Sequence, residues 1–179
     1  MFTNATFRKK VSHEIILQTS RLRLRRFEDS DADLNKLFKL NSDPDVMRFI
    51  RKPDRTIEET KTYFDERILS TYTDDGFGVF ALELLDGTFV GFALLITLKG
   101  SVDKEVGYRL HKKFWGSGLA TETANALVQH GFEKGLTRIV GITHPENFAS
   151  QRVLEKCGLV YERDVVHYDV PVELYAVNK

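Results

Sequence analysis

The sequence predicts an α/β domain of the α+β type, in which a mixed, mostly antiparallel sheet carries helices on both faces. Short runs that alternate apolar and polar residues indicate strands. An Asp-Gly pair at 86–87, between two apolar runs, indicates a hairpin. A strand, a helix and a strand follow one another between 105 and 143, a spacing typical of a right-handed parallel crossover. The 179 residues, 42% of them hydrophobic, fit a single domain over 1–179.

The first part of the chain predicts one strand and two helices. Residues 21–25 alternate arginine and leucine with the period of a strand. Residues 30–31 can cap a helix, which the Asp-Pro-Asp of 43–45 then ends. The Thr-x-x-Glu of 56–59 is a capping box, so a second helix is expected from there to about residue 70.

The rest of the chain predicts six more strands and two more helices, which brings the expected sheet to seven strands. Glycines at 135 and 158 are suitable stops for the two helices. The expected strands are 79–85, 88–98, 105–110, 138–143, 160–167 and 172–177, and the expected helices run from about 119 to 133 and from 147 to 158.

The composition restricts the classes of partner and the compartment. Lys plus Arg and Asp plus Glu number 26 each, so there is no general attraction to nucleic acid or to an anionic membrane. No apolar run approaches the roughly 20 residues of a membrane span. Residues 1–14, which lack the apolar core of a signal peptide, are expected to be flexible. The single Cys157 and five histidines without ligand spacing predict a cytoplasmic protein with no disulfide and no metal.

The segment 105–122 reads as a strand, a loop with two glycines and a helix start. Gly116 and Gly118 lack a Cβ, so the loop can bend and direct several N–H groups at one anion. The positive end of the following helix favours the same ligand. A purely structural turn is the alternative. Neither a Gly-x-Gly-x-x-Gly motif, since position 121 is Thr, nor a P-loop is present.

These residues resemble the GNAT acetyltransferase superfamily, and in particular its ribosomal-protein N-acetyltransferase branch, the RimJ/RimL-like proteins. The resemblance covers the chain from about Thr19 to Gly158. The superfamily's coenzyme A loop reads Gln/Arg-x-x-Gly-x-Gly/Ala, and the first position departs conservatively here. The matching motifs are Lys113-Phe-Trp-Gly116-Ser-Gly118, Glu105-Val-Gly-Tyr108, Asn147-x-x-Ser150, Thr19-Ser-Arg21-Leu-Arg-Leu24-Arg and Val153-Leu-Glu-Lys-Cys-Gly158-Leu.

The resemblance implies that acetyl-CoA is the co-substrate and that it binds where the two parallel strands, 105–110 and 138–143, splay apart. Its pantetheine arm would enter the gap and pair with main-chain groups of the strand edges. The residues expected to bind it are Tyr108, Arg109, Leu110, Lys113, Phe114, Trp115, Gly116, Ser117, Gly118, Leu119, Ala120, Asn147 and Ser150.

The resemblance also implies an N-acetyltransferase that moves the acetyl group by direct amine attack. It places the general base at Glu105 and the proton donor for the departing thiolate at Ser150. Many superfamily members use a tyrosine, four positions after this serine, as the proton donor. Here that position is Leu154. The structural alternatives are a solvated or Lys104-paired glutamate at 105, and a helix cap formed by Asn147 with Ser150.

The acceptor stays open between a protein N-terminal α-amine and a small-molecule amine. Aspartates at 29, 31, 33, 43 and 45 could attract a cationic amine, although helix caps are the simpler interpretation. A catalytically idle acyl-CoA sensor or interaction module is the alternative function. The chain is expected to be a monomer or a homodimer, the latter through a strand edge near the C-terminus.

Overall fold

Every described strand belongs to one eight-stranded sheet in the computed structural model, which describes residues 14–73, 75–167 and 169–179. The strand order is β1-β2-β3-β4-β5-β6-β8-β7, and neighbours are antiparallel except for β5 and β6. The strands are β1 (Ile15–Gln18), β2 (Leu22–Arg26), β3 (Gly78–Leu84), β4 (Phe89–Thr97), β5 (Lys104–Leu110), β6 (Arg138–Thr143), β7 (Val160–His167) and β8 (Val170–Asn178).

Five α-helices connect these strands. They are α1 (Asp31–Asn41), α2 (Pro44–Met47), α3 (Ile57–Tyr63), α4 (Leu119–Glu133) and α5 (Phe148–Lys156). The helix after α3 changes hydrogen-bonding pattern, first to a π-helical turn and then to a 3₁₀ turn, which ends at Thr71. The N-caps predicted from the sequence are confirmed, since Ser30 accepts from the N–H of Asp33 and Thr56 from that of Glu59.

The predicted mixed sheet with helices on both faces is confirmed, but the count of seven strands was wrong. The eighth strand is β1, which pairs antiparallel with β2. The sequence did not predict this strand because it has only four residues, and its Ile-Ile-Leu-Gln does not alternate apolar and polar side chains. The prediction of a flexible segment over 1–14 concerns residues that, apart from the exposed Glu14, lie outside the described ones.

The two largest hydrophobic cores among the described residues lie on opposite faces of the sheet. On one face α4 and α5 pack through residues such as Leu127 and Leu154, both almost fully buried. On the other face α1 and the helix that follows α3 pack through Leu37 and Phe64, and the Phe64 ring meets Phe27 edge-on at 5.7 Å. β5 contributes Val106 and Leu110 to the first of these cores, so that face of the strand is packed against α4.

The parallel pair is short, and its shortness creates an opening in the sheet. β5 and β6 pair only at Lys104 with Ile139 and at Glu105 with Val140. β5 continues to Leu110 on its pairing with β4, while β6 continues on its pairing with β8. The strands therefore splay apart beyond Glu105, as the resemblance implied.

Shortening Leu127 should destabilise the protein, because the side chain is fully buried between α4 and the sheet. We expect Leu127→Ala to lower the free energy of unfolding by about 2–5 kcal/mol, measured by urea denaturation. The control is Val166→Ala, which removes an apolar side chain that is 75% exposed and should change stability by less than about 0.5 kcal/mol. Equal losses in the two variants would contradict the assignment of the core.

Candidate active site

The loop between β5 and α4 exposes main-chain donors at the start of a helix. Gly116 and Gly118 have φ angles of 73° and 80°, in the left-handed region that favours glycine. Gly118 is the N-cap residue of α4, and no side chain caps this helix. The N–H groups of the first turn and the positive end of the helix dipole are therefore available to an anion.

The loop is fixed at both of its ends. The Trp115 indole N–H donates to the carbonyl of Leu110 at 2.9 Å, which holds the indole against the end of β5. The Arg21 guanidinium donates to the carbonyl of Ser117 at 2.9 Å and pairs with the carboxylate of Glu122 at 2.6 Å. The glycines thus sit between two anchors, one to β5 and one to the segment before β2.

Glu122 collects hydrogen bonds from three consecutive residues. Thr19 and Ser20 donate their hydroxyls at 2.5 and 3.1 Å, and Arg21 adds its main-chain N–H at 3.1 Å. Burial would raise the pKa of Glu122, but these hydrogen bonds lower it below its ordinary value. The Thr-Ser-Arg run stood out in the sequence only as part of the resemblance, because its partner lies about 100 residues further along the chain.

Glu105 stands where the parallel strands part. Among the described residues, no group forms a hydrogen bond or ion pair with its carboxylate, and burial raises its pKa to about 7. The alternative of an ion pair with Lys104 is wrong, since the Lys104 amine donates to the Thr97 hydroxyl at 3.1 Å. A carboxyl group with this pKa can exchange protons at neutral pH.

The start of α5 brings Asn147 and Ser150 to the same opening. Asn147 is the N-cap residue and accepts from the N–H of Ser150 at 3.2 Å, so the capping interpretation is confirmed for its carbonyl oxygen. The Ser150 hydroxyl lies 3.1 Å from that of Tyr108 on β5. Burial raises the pKa of Tyr108 to about 12, so its hydroxyl keeps its proton and can supply Ser150.

One cleft of about 1990 Å³ contains these features. All site residues expected from the sequence line it except Lys113 and Ser117. Lys113 lies over the ring of Phe114, and the Ser117 hydroxyl donates to the carbonyl of Phe114. The Arg109 side chain points to the opposite face of β5 from Tyr108, because side chains alternate along a strand. Only the main chain of Arg109 can therefore make the contact with the cofactor that the sequence predicted.

Other prominent residues have structural roles. Burial raises the pKa of Cys157 to about 11, which makes it a poor nucleophile. Asp43 caps α2 and Asp33 pairs with Arg25, so these aspartates already have partners. In the described ranges, no group of three or more His, Cys, Asp or Glu residues could hold a metal ion. No helix in that same part of the chain has the length and apolar character needed to cross a membrane.

Comparison with known proteins identifies the family. A family model described as an acetyltransferase (GNAT) domain matches residues 21–160, and the chain belongs to this family of N-acetyltransferases, which use acetyl-CoA. A protein of Bacillus subtilis, YkkB, is 32% identical over 89% of this chain and 93% of its own length. FsC-acetyl coenzyme A-N(2)-transacetylase of Aspergillus fumigatus is 31% identical over 74% of this chain and 61% of its own length.

Solved structures show the same fold. A GNAT-family acetyltransferase from Bacillus anthracis superposes with a TM-score of 0.76 at 27% identity, covering 90% of this chain and 97% of its own. RimL, a ribosomal L7/L12 alpha-N-protein acetyltransferase in complex with coenzyme A, has a TM-score of 0.77 at 20% identity. The match covers 92% of this chain and 98% of its own. Spermidine N-acetyltransferase from Vibrio cholerae, in complex with coenzyme A and spermine, has a TM-score of 0.73 at 20% identity. The match covers 89% of this chain and 97% of its own.

Removing the Glu122 carboxylate should loosen the loop, because four hydrogen bonds from residues 19–21 converge on it. We expect the hydrogen-bonded amides of residues 114, 115 and 122 to exchange about 5–30 times faster in Glu122→Ala. The matched control is Glu133→Ala, at the other end of α4, where the side chain is exposed and the loop should keep its exchange rates. Unchanged rates in Glu122→Ala would show that other contacts hold the loop.

Proposed function

We propose that the protein acetylates a primary amine by direct attack on acetyl-CoA while both substrates are bound. The observation that carries this proposal is the Glu105 carboxyl group, which lies at the fork of β5 and β6 without a partner among the described residues and with a pKa of about 7. A protein α-amino group has a pKa of about 7.7–8.0. Proton transfer between the two groups is therefore nearly balanced in free energy.

The architecture of the cleft supports binding of acetyl-CoA. The uncapped start of α4 offers N–H groups to the diphosphate, and Gly118 leaves their approach free of a side chain. The main-chain groups that face the gap between β5 and β6 can pair with the amides of the pantetheine arm, as an added strand would. Recognition of this kind needs few dedicated side chains.

The side chains around the fork can move the protons that the transfer requires. Glu105 accepts a proton from the acceptor ammonium, directly or through a water. The amine nitrogen then forms a bond to the acetyl carbon and the carbon–sulfur bond breaks. The amide nitrogen loses its second proton to solvent. Ser150 donates its hydroxyl proton to the departing thiolate and recovers one from Tyr108, whose hydroxyl lies 3.1 Å away and is reprotonated from solvent. The Asn147 cap holds Ser150 in position for this step.

The acceptor is either a protein N-terminal α-amine or a small-molecule amine. Both kinds occur among proteins of the same fold, as the names of RimL and of the spermidine enzyme state. A mass-spectrometric screen with acetyl-CoA would separate them, using peptides with free N-termini alongside polyamines, amino sugars and amino acids. Acetyl transfer to any of these amines is the expected result. Binding of coenzyme A without transfer to any acceptor would favour the sensor alternative instead.

Replacing Glu105 by its amide should remove the proton acceptor and leave the cleft intact. We expect Glu105→Gln to lower kcat about 10²–10⁴-fold, with the affinity for coenzyme A retained in calorimetry. In the native protein kcat/KM should rise with pH through about 7, since only the deprotonated carboxylate accepts a proton. This rise should be absent from the variant.

The control for Glu105→Gln is Glu146→Gln, which changes an exposed glutamate before α5 and should keep both the rate and its pH profile. A Glu105→Gln enzyme with native kcat and an unchanged pH profile would exclude Glu105 as the base.

A methyl group at Gly118 should weaken binding of coenzyme A. The residue has a φ angle of 80°, which costs an L-residue about 1–2 kcal/mol, so the loop would relax away from its binding conformation. We expect the Kd of Gly118→Ala to rise about 5–30-fold. Gly87→Ala is the matched control, with a φ of 87° in the β3–β4 turn and open space around its Cβ. It should lose stability and keep the native Kd, whereas equal Kd values in all three proteins would contradict a diphosphate site at α4.

A further inference from the structure

A second charged group lies on the same face of β5 as Glu105. Side chains alternate along a strand, so Glu105 and Arg109 share one face and Tyr108 takes the other. That face looks towards α1 and α3. There Arg109 contacts Asn41 of α1, and the ring of Phe92 on β4 lies beside it. Both Glu105 and Arg109 line the cleft. The side of β5 that carries the expected base therefore also carries a cation.

Arg109 is buried without a carboxylate of its own. It is only 8% exposed, and one terminal nitrogen donates to the side-chain oxygen of Asn41. The guanidinium lies 4.7 Å from the centre of the Phe92 ring. Within the described ranges no acidic group forms an ion pair with it, and its Nε has no hydrogen-bond partner. A buried guanidinium in this condition is costly, since buried charges are normally paired.

Arg109 and its surroundings together carry more positive than negative charge. The ring of Tyr63 lies 6.0 Å from the Arg109 guanidinium and 5.0 Å from that of Arg51. The buried Asp54 pairs with Arg51 and accepts from Asn41 at 3.1 Å. One carboxylate thus serves two arginines and touches Arg109 only through Asn41.

The pKa of Arg109 reflects this imbalance. Desolvation lowers it below its ordinary value, and the like charge of Arg51 lowers it further, while Tyr63 and Asp54 offset only part of this effect. A negative group brought into the cleft would restore the missing partner. By comparison, Arg25 is buried to a similar extent but pairs directly with Asp33 and Glu83, and faces no such need.

We propose that the acceptor carries a carboxylate or phosphate group remote from its amine, and that Arg109 binds this anion while Glu105 deprotonates the amine. This inference deepens the proposed function and rests on it. The two residues are four positions apart on β5, so their Cα atoms are separated by about 13 Å, at roughly 3.3 Å per residue. We therefore expect the anion to lie several bonds from the amine, as in a short peptide or a long-chain amino acid, and not beside it as in an α-amino acid.

The test compares acceptors that differ only in the remote charge. One series consists of ω-amino carboxylates of increasing length, each with its ω-amino amide. The other consists of short peptides with a free N-terminus and either an acid or an amide C-terminus. We expect kcat/KM to favour the acid member of the best pair by about 10–100-fold. The series that contains this pair shows whether the acceptor is a small metabolite or a peptide. Equal rates for acids and amides, or a preference for polyamines, would overturn the inference.

Substitutions of Arg109 then separate anion binding from a structural role. Arg109→Gln should lower kcat/KM for the acid about 10–100-fold more than for its amide, and Arg109→Lys should keep part of the preference. The matched control is Arg67→Gln, which removes an exposed positive charge from the same cleft and should leave the acid-to-amide ratio unchanged. If Arg109→Gln lowered both rates equally, Arg109 would serve only to tie α1 to β5 through Asn41.

The comparison in the native protein keeps the inference testable even if Arg109→Gln does not fold, because it requires no variant. The two levels of proposal also fail differently. If no amine in either series or in the wider screen is acetylated, the proposed transfer itself is wrong. If amines are acetylated without regard to the remote charge, transfer stands and the role of Arg109 is wrong. Calorimetry with coenzyme A on each variant verifies that the cofactor side of the cleft is intact.

Discussion

The separation of β5 from β6 is the constraint on which the rest of the site depends. Two residue pairs join these strands, and beyond Glu105 each strand stays paired on its far side only. Main-chain donors and acceptors in the interior of a sheet are normally paired, so a ligand with main-chain-like donors and acceptors would fit where the neighbouring strand is missing. The glycine loop follows from the end of β5, and α5 follows from the end of β6. The same divergence thus brings Gly118 and Ser150 to one opening.

The electrostatics of the molecule fall into two classes. Away from the cleft, buried charges are matched, as in the cluster where Arg25 meets Asp33 and Glu83. Around the cleft, the half-buried Glu105 and the buried Arg109 have no direct partner of opposite charge among the described residues. A fold tolerates such groups only where their cost is offset, and binding a substrate offsets it. The groups left unmatched therefore outline the chemistry expected of the ligands.

Local signals in the sequence predicted most of the fold. The Asp-Gly turn at 86–87 and the N-cap at Ser30 act within a few residues, so both could be read directly, and β1 was missed for lack of such a signal. The site required the resemblance, because no local pattern tells that β5 loses its pairing with β6 after Glu105 or that Glu122 contacts the segment before β2. Burial and pKa depend on groups that are close only after folding. The sequence therefore indicated which residues matter, but not how their environment changes them.

The contact between residues 19–21 and Glu122 links the order of assembly to the appearance of the binding loop. About 100 positions separate the two partners, so the contact forms only once the first strands and α4 are both in place. Contacts of such long range carry a large entropic cost and are slow to form. A chain in which α4 has not yet packed against the first strands would have the glycines but lack their clamp. Cofactor recognition should then emerge among the last steps of maturation, and coenzyme A should select fully folded molecules over incomplete ones.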